Sequence, residues 1–71
     1  MGKCYIIMFK DRTINLYENW NIIKEGVNKR MVIACYECDD NTSIYEICKF
    51  LTGLARNRDI EEFKKFKKKE M

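Results

Sequence analysis

The 71-residue chain contains no histidine. It therefore lacks the side chain most often used as a general acid or base near neutral pH, which is also the commonest metal ligand. Its glycines, Gly2, Gly26 and Gly53, are scattered, so no glycine-rich loop is available to cradle a phosphate. No serine stands in a nucleophile-elbow pattern. The longest apolar run, Cys4 to Phe9, is far shorter than the roughly 20 residues of a membrane-spanning helix. No basic segment followed by an apolar stretch and a small-residue cleavage site opens the chain. The expected compartment is the cytoplasm, where the four cysteines stay reduced. Together these absences point to a chain that binds rather than catalyses, with no cofactor, no small-molecule substrate and no membrane partner.

What is present fits one small globular unit. Apolar residues make up 46% of the chain and charged residues 35%, which is too apolar for disorder and too short for a second core. Cys4 to Phe9 reads as a strand apolar on both faces, hence interior. Lys10-Asp11-Arg12 reads as a hairpin turn leading into an alternating strand. Ile14, Leu16 and Trp20 fall on one side of it, and Thr13, Asn15, Tyr17 and Asn19 on the other. Asn21 is a candidate cap for a short helix over 22–25, ended by Gly26 in a left-handed conformation. Arg30 to Cys38 is rich in β-formers and reads as a third strand, followed by a turn at Asp39-Asp40-Asn41.

Ser43 to Glu46 is a capping box. The apolar face that follows reads as Ile44, Ile47, Cys48, Leu51, Leu54 and Ala55. Gly53 inside this helix suggests close packing, and Asn57 suggests a stop. Asp59 and Glu62 form another capping box, opening a helix with the stripe Ile60, Phe63 and Phe66. The expected fold is α+β, a three-stranded antiparallel sheet with helices packed on it, in the order β-β-short α-β-α-α. Residues 1–57 would form the domain, and 58–71 a basic C-terminal helix or tail.

The run Tyr5-Ile6-Ile7, then Leu16 to Asn21 (LYENWN), then Val27, a strand, and Ser43 to Leu51 (SIYEICKFL) resembles the N-terminal hybrid-binding domain of ribonuclease H1. The same domain is found in caulimovirus viroplasmin. The resemblance spans about residues 4–52 and implies an RNA–DNA hybrid or double-stranded RNA binder without nuclease activity. By position, Trp20 matches the tryptophan that lies against the nucleic-acid backbone, and Tyr5 the first-strand tyrosine. Asn15 stands where the family has glycine, and Ile22-Ile23 replaces Glu-Cys. Tyr36-Glu37-Cys38 replaces Lys-Lys-Phe, so two phosphate-contacting cations are absent.

Charge is distributed unevenly. Residues 1–55 carry seven Lys/Arg and seven Asp/Glu, whereas residues 56–71 carry seven and four. Duplex binding depends on neutralising phosphates, so replacement cations are sought in Lys49, Arg56, Arg58, Lys64, Lys65, Lys67 and Lys68. Tyr5, Tyr17 and Trp20 are the candidate stacking surface. For each feature a bland alternative stands alongside: the lysine run as a solvated face, and Trp20 as a core residue. Cys35 and Cys38 have metal-like spacing, but three residues apart on a strand they face opposite ways, so no metal site is expected. A rival reading follows from small size and a Lys-, Asn- and Ile-rich composition. It is a phage or mobile-element inhibitor or adaptor of the anti-CRISPR kind, binding a host nucleic-acid-processing protein.

Overall fold

The structure is a computed structural model and describes residues 2–57 and 61–70. It is α+β, with an antiparallel sheet between helices. The strands are β1 (Lys3–Phe9), β2 (Ile14–Tyr17), β3 (Val32–Asp39) and β4 (Lys67–Lys68), in the spatial order β2-β1-β3-β4. The helices are α1 (Trp20–Gly26) and α2 (Ile44–Ala55). Two 3-10 turns, Lys29–Met31 and Glu61–Lys65, precede β3 and β4.

Strand β1 is central, as its apolar run requires. Tyr5, Ile6 and Ile7 are all buried, because each face of the sheet carries its own core. On one face, Ile6 and Cys38 pack with Ile47 and Phe50 of α2 and with Phe66. On the other, Tyr5, Ile7 and Cys35 pack with Ile23 of α1. Cys35 and Cys38 thus lie on opposite faces, as period-2 geometry demands.

The β1–β2 hairpin turns through Lys10-Asp11-Arg12. The Phe9 N–H donates to the Thr13 carbonyl at 2.9 Å, and the Arg12 N–H to the Phe9 carbonyl at 3.0 Å. Arg12 adopts φ 72°, the left-handed residue that a three-residue hairpin loop needs. Asp11 accepts from the Thr13 N–H and hydroxyl, which closes the turn and holds the Asp11 carboxyl below the usual range. Between β1 and β3 the register slips at Met8/Phe9. Ile33 is the extra residue and is 61% exposed.

Several expectations are corrected. The sheet has a fourth strand. The segment expected as a second long helix is, within the described residues, a 3-10 turn followed by β4, which pairs with Tyr36 and Glu37 of β3. Asp59 and Ile60 lie outside the described residues. Helix α1 starts earlier than expected. Asn19 is its cap, accepting from the Asn21 N–H at 2.8 Å, so Trp20 belongs to the helix and not to the face of Ile14 and Leu16. Gly26 is not left-handed; no glycine has positive φ among the described residues. The third strand begins at Val32, because Asn28 caps the preceding turn by accepting from the Arg30 N–H.

Helix α2 carries the expected capping box between Ser43 and Glu46. Its apolar face is rotated, however. Ile47, Phe50 and Gly53 are buried, Leu51 and Leu54 are half-buried, and Ile44, Cys48 and Ala55 are exposed.

Candidate interaction surfaces

Tyr5, Tyr17 and Trp20 do come together. Tyr5 is paired with Tyr17 across β1 and β2, and the Tyr5 and Trp20 ring centroids are 5.1 Å apart. Tyr5, at 8% exposure, belongs to the core under α1. Trp20 is half-buried, and the Lys69 ammonium lies 4.5 Å from its ring centroid and 3.7 Å from a Glu37 carboxylate oxygen. A cation over an indole face is attractive in itself, and here it occupies ring surface that a base or sugar would need. Lys69 was not singled out by sequence reasoning. The Glu37 carboxylate draws this lysine in from the C-terminal segment.

The candidate cations do not assemble into one patch. Lys67 pairs with Glu37 and so stands on the α1 side of the sheet, whereas Lys68 pairs with Tyr36 and stands on the α2 side. Lys65 contacts Glu46 at 2.6 Å and Lys64 contacts Glu61 at 3.0 Å. The Lys65 contact, helped by the Ser43 N–H, draws the Glu46 carboxyl below its ordinary range. Lys49 lines a depression of about 220 Å³ with Glu46, Lys65, Phe63 and Phe66. Arg56 is the exposed C-cap of α2, and Arg58 lies outside the described residues.

No group of three or more His, Cys, Asp or Glu side chains is placed to hold a metal ion among the described residues. The four cysteines are free thiols. Burial pushes the Cys35 and Cys38 thiols up from their ordinary values, which keeps them protonated and poorly nucleophilic. No helix among the described residues is long and apolar enough to cross a membrane.

The surface that sequence reasoning missed is apolar. Met8, Ile14 and Leu16 share the α2 side of the sheet through the pairs Met8–Ile14 and Ile6–Leu16. Ile14 is 42% and Leu16 44% exposed. On α2, the flank holding Phe50 and Gly53 is turned to Phe63 and Phe66. The flank turned away from them carries Ile44, Cys48, Leu51 and Ala55, at helical spacing. Ile44 is 64% exposed and its neighbour Tyr45 75%. The signal in the sequence was an excess: Ile44, Tyr45, Ile47, Cys48, Phe50 and Leu51 are more apolar side chains than one buried stripe can absorb.

Comparison of the chain with family models, with curated proteins and with solved structures gives no match.

Proposed function

We propose that the chain is a non-enzymatic module that binds a protein, in the manner of a small inhibitor or adaptor working in the cytoplasm. The observation that carries this reading is the apolar surface left exposed on α2, where Ile44, Tyr45 and Cys48 lie within little more than one turn, with Ile14 and Leu16 also exposed on the α2 side of the sheet. Large side chains left exposed singly need no explanation, but a grouped set marks an interaction surface. Aromatic anchors such as Tyr45 are the kind of residue that carries protein–protein binding energy.

The duplex-binding alternative, suggested by the resemblance to the hybrid-binding domain, has less support. Tyr5 is in the core, Lys69 occupies the Trp20 ring, and Lys64, Lys65 and Lys69 each face a carboxylate. A host nucleic-acid-processing protein is the partner class to try first, as the target of an inhibitor of the anti-CRISPR kind.

The test is capture from nuclease-treated lysate with the parent chain and with Ile44→Asp and Tyr45→Ala, beside titration of labelled RNA–DNA hybrid, double-stranded RNA and double-stranded DNA at low salt. A captured protein that survives nuclease and is lost with either variant is the expected result. Tight, salt-sensitive duplex binding with no captured protein would replace this reading with the nucleic-acid one.

A further inference from the structure

Strand β2 is an outer edge of the sheet, and the structure shows which way its peptide groups point. The Phe9 N–H donates to the Thr13 carbonyl, which sets the phase of the ladder. Thr13, Asn15 and Tyr17 direct their peptide groups to β1, and Ile14 and Leu16 direct theirs outward. The stretch Ile14–Tyr17 contains no lysine and no proline, the residues that commonly blunt an exposed edge.

We propose that two copies of the chain pair through their β2 strands, antiparallel and centred on Asn15, joining two four-stranded sheets into one. This goes beyond the protein-binding reading above and does not depend on it. A two-fold axis normal to the sheet keeps each face on its own side, so a residue can oppose only a residue of its own face. Backbone bonds across the edge must also come from Ile14 and Leu16.

Three registers meet both conditions. Centred on Ile14, Leu16 falls opposite the hairpin turn of the second copy; centred on Leu16, Ile14 falls beyond the end of the second copy's strand. Only the register centred on Asn15 is complementary throughout. Ile14 opposes Leu16 and Thr13 opposes Tyr17, each twice by symmetry. Apolar pairs set directly across from each other favour a register. The pairing would also bring the Ile14 and Leu16 side chains of both copies together on one face, where each is now close to half exposed.

The register is tested by cross-linking. In a Cys48→Ser background, which removes the exposed thiol, Asn15→Cys places two cysteines opposite each other. They form a non-hydrogen-bonded pair with Cα atoms roughly 4.5 Å apart, within the disulfide range. Under oxidised glutathione, Asn15→Cys should link into dimers several-fold faster than Leu16→Cys, whose opposite residue is Ile14. An equimolar mixture of Ile14→Cys and Leu16→Cys chains should cross-link to each other. A parent chain that sediments as a monomer at every concentration overturns the proposal, as does Leu16→Cys linking as fast as Asn15→Cys. A monomer that still captures a protein through Ile44 and Tyr45 would leave the functional reading intact.

Discussion

The two edges of the sheet are built on opposite plans. The β4 edge is two residues long, consists of Lys67 and Lys68, and is followed by Lys69, whose N–H donates to Cys35 at 2.8 Å. Extending such an edge with another strand would crowd ammonium groups together. The β2 edge is twice as long and carries Ile14, Asn15, Leu16 and Tyr17. The β4 edge is also held from behind: Phe66, one residue before it, stacks on Phe50 with centroids 4.1 Å apart, and Phe63 meets the same ring edge-on. In this chain the charged edge is assembled by long-range aromatic packing, and the apolar edge by a local hairpin. The charged edge should therefore be the easier one to lose.

The strongest way to break the contrast is Phe50→Ala. It removes the ring that touches Tyr36, Phe63 and Phe66 together, and should lower stability by about 3–5 kcal/mol, read by denaturant unfolding. Exchange protection should disappear at Lys69 before it does at Ile6. Loss of less than about 1 kcal/mol would mean that the aromatic seat is not core.

Gly53→Ala is a gentler probe of the same seat. In an open helix the change would gain about 1 kcal/mol. Here a Cβ would run into the Phe63 ring, and overpacking of this kind typically costs about 1–3 kcal/mol. A net loss with faster exchange in the C-terminal segment is expected; a net gain would show that Phe63 swings aside freely.

Leu16→Lys sharpens the comparison by giving β2 the residue β4 already has. Leu16 is close to half exposed, so monomer stability should change by no more than about 0.5 kcal/mol. Dimerisation, measured by sedimentation, should vanish.

The smallest effect concerns pH. The folded-state pKa of Glu46 is depressed, first by Lys65 and then by the Ser43 N–H. Its contribution is present above the ordinary carboxylate pKa and is lost as pH falls through the lower folded value. Glu46→Gln should flatten the acid side of the stability profile. An unchanged acid limb would place the dependence on other carboxylates.

Much of this fold was legible because much of it is local. The β1 run, the turn at Lys10-Asp11-Arg12 and the Ser43–Glu46 box are each specified within a few residues, and each is found where the residues put it. Strand β4 was not legible, because lysines carry little β preference and its partner, β3, lies some thirty residues back in the chain. Phe63 and Phe66, three apart, fit a 3-10 turn as well as an α-helix. The face of α2 was misjudged because apolar residues nearly encircle its first two turns. Which of them is buried depends on where Phe63 and Phe66 arrive.

At the candidate site, the meeting of Tyr5 with Trp20 was not legible in strand spacing, which put Trp20 on the face of Ile14 and Leu16; it follows from the Asn19 cap, which makes Trp20 the first residue of α1. The neutralisation of Lys65 by Glu46 joins residues 19 apart in sequence, and nothing local signals it.

The contact of Lys69 with Trp20 has a practical consequence. Trp20 is the chain's single tryptophan, so its emission is a native optical gauge of whether the final strand is seated. Cation and indole are 4.5 Å apart only while β4 lies along β3. Release of that strand, by a partner, by salt or by Phe50→Ala, would shift the spectrum without an added dye, and Lys69→Ala would supply the reference for the released state.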